Sequence, residues 1–153
     1  MAVEIGQPAP EFTLSDQDGT AVSLADFRGS KAVALVFYPF TFSGVCEGEL
    51  CAIRDDYSSF TNAGVQVLAV SCNAKHAQKL WRTQNGYDFP VLTDFWPHGE
   101  VAQAYDVFNE DLGCAMRNTF VINADGLLVD SFASPDLGTA RPEARYKEAL
   151  AKL

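Results

Sequence analysis

One cysteine in this sequence lies where its thiol would be chemically reactive. Cys46 follows a run of β-branched and aromatic residues that ends at Pro39, and a short loop containing Ser43 separates the two. Beyond Cys46, apolar residues recur at helical spacing, which predicts one face of an α-helix. These residues are Leu50, Ile53, Tyr57 and Phe60. Ser43 then falls at the N-cap of the helix and Cys46 in its first turn.

The first turn of a helix is an environment that favours a thiolate. Unpaired backbone N–H groups and the positive end of the helix dipole both stabilise negative charge there. Cys46 is therefore predicted to be more nucleophilic than a free cysteine. The alternative interpretation is that Cys46 is a small apolar residue on the buried face of the helix, as most free cysteines are. Cys46 taken alone does not decide between the two.

Hydrophobic patterning predicts the elements that would position Cys46. Short strands at 12–14 and 21–24 flank a polar turn and predict an N-terminal β-hairpin. Residues 32–38 are apolar on both faces, as in a central strand, and a helix follows over 44–62. The remaining predicted elements are strands at 65–71, 89–92, 119–122 and 127–132 and helices at 75–85, 100–105 and 142–152. This order predicts an α/β sandwich with a mixed central sheet flanked by helices.

Composition narrows the class of protein further. The 153 residues are 48% hydrophobic and 20% charged, which predicts one globular domain over 1–153. The formal net charge of −9 argues against nucleic acid or an anionic membrane as a partner. The first residues lack the features of a signal peptide, and no stretch approaches the roughly 18 apolar residues of a membrane span. We therefore expect a cytoplasmic protein.

The cysteine spacing argues against a metal site and against a dithiol site. The four cysteines are Cys46, Cys51, Cys72 and Cys114, and no two of them form a C-x-x-C pair. The two histidines are not paired at ligand spacing, so no metal is expected. A thioredoxin-like disulfide oxidoreductase would need a second cysteine at position 49, where the sequence has Glu49. The cysteines are better interpreted as redox or free thiols than as structural disulfides.

The spacing of Pro39, Ser43 and Cys46 resembles the peroxiredoxin signature P-x-x-x-[ST]-x-x-C. Further stretches similar to that family lie along the chain, at 8–14, 24–29 and 117–122. The stretch 89–99, with 107–110 after it, is most similar to the alkyl hydroperoxide reductase E (AhpE) subgroup. The resemblance implies a thioredoxin-like fold, a homodimer and a thiol peroxidase that needs no cofactor. Its substrates would be hydrogen peroxide and organic hydroperoxides.

The resemblance also assigns roles to individual residues. Cys46 matches the peroxidatic cysteine, which peroxide converts to a sulfenic acid. Arg117 matches the arginine that stabilises the thiolate and polarises the peroxide, Ser43 the hydroxyl that binds the peroxide, and Pro39 the proline that shields the site. Glu49 matches a glutamate that orients the arginine. From the residues alone, Arg117 could instead form a surface salt bridge, and Glu49 could lie on a solvated helix face.

How the sulfenic acid would be resolved is left open by the sequence. Cys51 lies five residues after Cys46, and an intact helix puts their Cα atoms roughly 8 to 9 Å apart, beyond disulfide reach. The polar residues on its helix face predict that Cys51 is exposed. Some related peroxiredoxins keep a resolving cysteine at this spacing, and using it would require the helix to unwind. Cys72 is predicted to be a core residue, and Cys114 is a weaker resolving candidate.

The AhpE resemblance instead implies a one-cysteine enzyme. Its reductant would be external, either a redoxin (thioredoxin or mycoredoxin) or a low-molecular-weight thiol. A third interpretation is a peroxide sensor, which would keep the reactive cysteine without turning over.

Overall fold

The computed structural model describes residues 3–153. The strands are β1 (Thr13–Ser15), β2 (Ala21–Ser23), β3 (Ala32–Phe37), β4 (Val65–Ser71), β5 (Val91–Thr93), β6 (Phe108–Asn109), β7 (Cys114–Ala115), β8 (Asn118–Ile122) and β9 (Leu128–Ala133). The helices are α1 (Gly44–Asp55), α2 (Tyr57–Asn62), α3 (Lys75–Asn85), α4 (Glu100–Ala104) and α5 (Glu143–Leu150), with a 3₁₀ turn at Leu24–Phe27.

Seven strands form one mixed sheet in the order β2-β1-β5-β4-β3-β8-β9, and β6 and β7 form a separate ribbon. Strand β3 lies next to the parallel strand β4 and the antiparallel strand β8. All six residues of β3 are buried because core residues cover both faces of the sheet. The predicted mixed sheet with helices around it and an N-terminal hairpin is confirmed.

The register of β3 and β8 brings distant parts of the chain to one end of the sheet. Val36, near the end of β3, lies opposite Thr119, near the start of β8. The loop that leaves β3 toward α1 therefore adjoins the residue that precedes β8, which is Arg117. This antiparallel pairing is what allows a side chain from the second half of the sequence to reach the start of α1.

Two core clusters pack against opposite faces of the sheet. One contains Phe37, which contacts the ring of Tyr105 at a centroid distance of 5.5 Å. The other contains Tyr38 and Trp81, whose ring centroids are 5.2 Å apart, and it includes Cys46. Helix α1 is held on the sheet by this second cluster.

The predicted helix over 44–62 is wrong in one respect, since it is two helices. Asp56 interrupts it with φ −112° and ψ 24°, which are not helical values. The Asp56 carboxylate accepts a hydrogen bond of 2.6 Å from the Ser59 hydroxyl, so this side chain contacts the first turn of α2. The ribbon formed by β6 and β7 was not predicted, because two residues per strand are too few for a periodic pattern.

No helix within residues 3–153 is a candidate membrane span. None of the helices in that range combines the length and the apolar character needed to cross a bilayer.

Candidate active site

Cys46 is the third residue of α1, and its side chain is fully buried. Ser43 occupies the predicted N-cap position, with extended backbone angles of φ −82° and ψ 146°. Its hydroxyl donates to the carbonyl of Phe40 at 2.8 Å, so the side chain braces the preceding loop and does not cap the helix. The structure thus places the Cys46 sulfur in the first turn of α1 and the Ser43 hydroxyl on the loop before it.

Arg117 reaches Cys46 from the start of β8. Its Nη1 atom lies 3.0 Å from the Cys46 Sγ atom and 2.7 Å from Glu49 Oε1. Its Nε atom donates to the carbonyl of Leu137 at 2.8 Å, which fixes the guanidinium plane. The residue is 4% exposed, so this is a buried contact, and the surface salt bridge considered for Arg117 is wrong.

Glu49 connects Arg117 to a second arginine, Arg141, whose role was not predicted from the sequence. Its Oε2 atom accepts hydrogen bonds from the Arg141 backbone nitrogen at 2.7 Å and from Nε at 2.9 Å. Its Oε1 atom also accepts a bond of 2.9 Å from Arg141 Nη2. The solvated helix face considered for Glu49 is wrong, because the residue is 8% exposed.

These contacts determine the ionisation of Glu49. Burial disfavours its charged form, but the hydrogen bonds and charge of Arg141 and the charge of Arg117 outweigh burial and hold the pKa of Glu49 below its ordinary value. Two guanidinium groups therefore share one carboxylate. The Cys46 sulfur is the other acceptor of Arg117 in this cluster.

Glu47, the other carboxylate near the start of α1, points away from this cluster. Its Oε1 atom accepts hydrogen bonds from Trp81 Nε1 and Asn85 Nδ2, both at 3.1 Å. Both partners belong to α3. The charge of Glu47 is thus directed at α3, and its bonds tie the first turns of α1 to that helix.

The loop between β3 and α1 is anchored by polar contacts beneath it. The backbone N–H of Thr41 donates to Asn73 Oδ1 at 2.9 Å, and the Thr41 hydroxyl lies 2.9 Å from the hydroxyl of Tyr38. Pro39 is buried within this loop. Phe42 adopts φ 71°, the left-handed region that side chains with a Cβ rarely occupy, so the anchored loop stores strain next to Ser43.

Cys51 is not exposed, contrary to the prediction from its helix face. Its side chain is half-buried, and its sulfur lies 3.6 Å from the hydroxyl of Tyr87 and 3.8 Å from Asn85 Oδ1. Helix α1 runs without interruption from Cys46 to Cys51. In this conformation the two sulfurs belong to different environments, one facing Arg117 and the other facing α3.

The other two cysteines lie in the core. Cys72 is 4% exposed and Cys114 is 1% exposed. Burial raises the pKa of Cys72 to about 12, with the nearby Asp94 adding to the effect. Burial also raises the pKa of Cys114. Neither thiol is disposed to ionise at neutral pH.

The sequence held no local signal for the role of Arg141. It precedes Pro142 at the start of the last helix, in an irregular stretch with no periodic pattern. The Arg141 Nη1 atom donates to the carbonyl of Phe37 at 2.7 Å, so its position depends on the end of β3. A contact that joins residues so far apart in the chain leaves no local pattern to detect.

Comparison with known proteins places this site in context. The sequence model of the AhpC/TSA family matches residues 5–131. The chain is 45% identical over 152 residues to alkyl hydroperoxide reductase E of Mycobacterium tuberculosis, covering 99% of this chain and 98% of that protein. It is 31% identical over 141 residues to a chloroplastic 2-cysteine peroxiredoxin of Chattonella marina, covering 86% and 71%.

A solved structure shows the same similarity. The crystal structure of peroxidoxin BcpB from Mycobacterium tuberculosis superposes with a TM-score of 0.86 at 28% identity, covering 98% of this chain and 96% of that one. This likeness confirms the predicted thioredoxin-like fold.

Proposed function

Because the chain belongs to the AhpC/TSA family of peroxiredoxins and is a thiol peroxidase, we propose that Cys46 is its peroxidatic residue and passes through a sulfenic acid. Hydrogen peroxide and organic hydroperoxides are the proposed substrates. The observation that carries the proposal is the position of Arg117 Nη1, 3.0 Å from Cys46 Sγ. A buried, permanently charged donor against a sulfur is what a thiolate nucleophile requires.

The proposed reaction is an in-line displacement at oxygen. The Cys46 thiolate attacks one peroxide oxygen, an S–O bond forms and the O–O bond breaks, which leaves Cys46 as a sulfenic acid. The second oxygen departs with the electron pair of the O–O bond and takes up a proton to become water or an alcohol. Arg117 and the N-terminus of α1 stabilise the charge that develops on the departing oxygen.

Ser43 and Pro39 have proposed roles in holding the peroxide. The Ser43 hydroxyl donates to the Phe40 carbonyl in this structure and would donate to the bound peroxide instead. Pro39, which offers no backbone N–H, would exclude water from the thiolate. Glu49 orients Arg117 and does not touch the substrate.

Exposed aromatic residues near the loop favour organic hydroperoxides. Phe42 is 50% exposed and Phe40 is 39% exposed, and both flank Thr41 in the loop that precedes Cys46. An apolar rim of this kind would retain an alkyl chain better than it would retain hydrogen peroxide. Comparing kcat/KM for cumene hydroperoxide with that for hydrogen peroxide, in wild type and Phe42→Ser, tests this preference.

For the second half of the cycle, we propose resolution by an external reductant. The reductant would be thioredoxin, mycoredoxin or a low-molecular-weight thiol. Support comes from the intact α1 between Cys46 and Cys51, since an unbroken helix holds the two Cα atoms about 8 to 9 Å apart. The bonds from Glu47 to Trp81 and Asn85 oppose unwinding of this segment.

The alternative is a Cys46–Cys51 disulfide recycled by thioredoxin. One observation favours it: Gly48 lies between the two cysteines, and a glycine inside a helix costs about 1 kcal/mol relative to alanine, which lowers the cost of local unwinding. Intact-mass and peptide-mapping spectrometry after one equivalent of peroxide separates the two mechanisms. Addition of one oxygen at Cys46 supports the one-cysteine cycle, whereas loss of two hydrogens with a Cys46–Cys51 peptide supports the alternative.

Steady-state turnover distinguishes an enzyme cycle from the non-turnover sensor. With excess external thiol, the proposed enzyme consumes many equivalents of peroxide per chain, whereas a sensor consumes about one. The Cys46→Ser variant should consume none in either case. Peroxide consumption that survives Cys46→Ser would overturn the assignment of the site.

We also propose that the chain forms a homodimer through an aromatic surface beside the active-site loop. Trp96 is 83% exposed and Phe95 is 49% exposed, an unusual exposure for such large apolar side chains. Asn73 joins the active-site loop to the segment that leads to this surface, since its Oδ1 accepts from Thr41 and its carbonyl accepts from Thr93, two residues before Phe95. Sedimentation velocity of wild type and Trp96→Ser tests the proposal, with a shift toward monomer expected in the variant.

A further inference from the structure

A cavity of about 260 Å³ lies between α1, α2 and the start of α5. Glu49 and Arg141 form part of its wall, but neither Cys46 nor Arg117 does. The cavity is therefore on the side of the buried ion cluster that is remote from the sulfur. Its volume is just below that of common small-molecule pockets, which limits an occupant to about one ring with a short side chain.

The inner wall of the cavity is apolar and aromatic. Ile53 and Phe60 are buried, and the ring of Phe60 meets the ring of Tyr146 edge-on at a centroid distance of 5.9 Å. Ala52 and the exposed Ala140 also line the cavity. Such a surface favours the body of a flat or branched hydrocarbon over that of a sugar or a nucleotide.

The rim of the cavity carries an excess of negative charge. Asp56 and Glu143 are exposed there beside a single cation, Lys147, and none of the three forms an ion pair within residues 3–153. Glu49 and Arg141 add no charge for a ligand to neutralise, because both are engaged with each other and with Arg117. The available charge is thus one negative unit, in a chain whose formal net charge is −9.

We propose that this cavity is a binding site for a small organic cation, an ammonium group on a single apolar ring or short branched chain. The ring packs against Phe60, Ile53 and Tyr146, and the ammonium group lies at the rim between Asp56 and Glu143. The site is separate from the peroxide site and does not depend on the proposed function.

Occupancy of the cavity stabilises helix α1. A ligand seated there contacts Ile53 on α1 and Tyr146 on α5 at once, so these helices cannot separate while it is bound. Local unwinding of α1 exposes the cavity and releases the ligand. A ligand that binds only the protein with α1 helical reduces the population with α1 unwound by a factor of 1 + [L]/Kd. This factor is about 11 at a ligand concentration of ten times Kd.

The proposal is tested with three probes of similar shape and different charge. These are 2-phenylethylammonium, 2-phenylethanol and phenylacetate, titrated into the full isotope-labelled chain by NMR. We expect saturable shifts for the cation, confined to amides of α1, α2 and residues 140–147, with weaker binding of the alcohol and the weakest binding of the anion. Binding of phenylacetate as tight as that of the cation, shifts elsewhere, or no saturation at millimolar concentration would overturn the proposal.

Charge variants give an independent test. The double variant Asp56→Asn with Glu143→Gln should weaken 2-phenylethylammonium binding by about 3- to 20-fold, because two exposed charge contacts are lost. The matched control is Asp55→Asn with Glu148→Gln, which removes two acidic charges outside the cavity, one next to Asp56 at the end of α1 and one on α5. An equal loss in the control contradicts the site.

Hydrogen exchange tests the coupling to α1. At ten times Kd, amide exchange by local opening of α1 should slow by about tenfold, while exchange in α3 stays unchanged. Unchanged exchange in α1 at saturating ligand would contradict the proposed contact between α1 and α5. Because this readout requires no peroxide, its result is independent of whether Cys46 turns over.

Discussion

A single nitrogen, Arg117 Nη1, lies 3.0 Å from the sulfur of Cys46 and 2.7 Å from Oε1 of Glu49. The two acceptors are three residues apart on one turn of α1, and the donor comes from the start of β8. The guanidinium is also held through Nε, which donates to the Leu137 carbonyl. The arrangement is pre-organised for one position of the Cys46 sulfur.

Replacing Arg117 should slow the oxidation of Cys46. Arg117→Met keeps the length of the side chain but removes the donor, and loss of one pre-organised donor costs about 100- to 1,000-fold in rate. The second-order rate constant with hydrogen peroxide is measured by stopped-flow mixing in a single turnover. Arg28→Met, at an exposed arginine that pairs with Glu11, is the control and should react at the wild-type rate. A wild-type rate in Arg117→Met would remove this residue from the mechanism.

Replacing Glu49 should lower the free energy of unfolding by more than replacing an exposed carboxylate does. Glu49→Gln leaves Arg117 and Arg141 buried without a counter-charge, and breaking a buried ion pair in this way costs about 3–5 kcal/mol. Urea unfolding at pH 7 gives the change in the free energy of unfolding. Asp55→Asn, on the same helix, removes only a surface pair with Arg54 and should cost less than about 1 kcal/mol. Similar costs in the two variants would contradict the buried cluster.

Asp130 should make stability depend on pH on the acid side. Burial disfavours its charge, but bonds from Lys152 and Arg145 outweigh burial and hold its pKa below the ordinary value of 3.8. The stability from a lowered pKa is present above the ordinary value and is lost as pH falls through the folded-state value. Asp130→Asn should lower the free energy of unfolding at pH 7 by about 1–3 kcal/mol and flatten its decline below pH 4. A decline as steep as in wild type would assign the acid sensitivity to other carboxylates.

The cysteines should differ in their reaction with iodoacetamide. Cys72, with a pKa raised to about 12, is a thiolate in roughly one molecule in ten thousand at pH 8, and it is buried. Cys51 is half-buried, so it remains partly exposed to the reagent. Peptide mapping of native protein at pH 8 should find carbamidomethyl at Cys51 well before Cys72, and both should react together in urea. Equal rates in the native protein would contradict the burial of Cys72.

Elements defined by a local pattern were predicted closely. Strand β4 and helix α3 have the predicted bounds, 65–71 and 75–85. The glycine that ends α3 adopts φ 65°, as a left-handed cap requires, so the end of the helix is encoded in one residue. The break at Asp56 was missed because the apolar spacing from Ile53 to Tyr57 continues in register across it.

In the candidate site, too, residues set by a local pattern were predicted, and residues whose surroundings come from distant segments were not. The positions of Ser43 and Cys46 at the start of α1 followed from local spacing. The burial of Cys51 did not, because the residues that cover it, Tyr87 and Asn85, come from another part of the chain. Arg141 was missed for the same reason, since its partner Glu49 is 92 residues away. A residue whose environment is built by distant segments leaves no periodic signal.

The antiparallel pairing of β8 with β3 has a consequence for protein synthesis. Cys46 and Arg117 are 71 residues apart, so a growing chain contains the thiol long before its arginine, and Arg141 follows later still. Until β8 takes its place, the start of α1 holds Glu47 and Glu49 with no buried cation to offset them. On the proposed mechanism, the environment that activates Cys46 is therefore completed only when these late segments of the chain have folded.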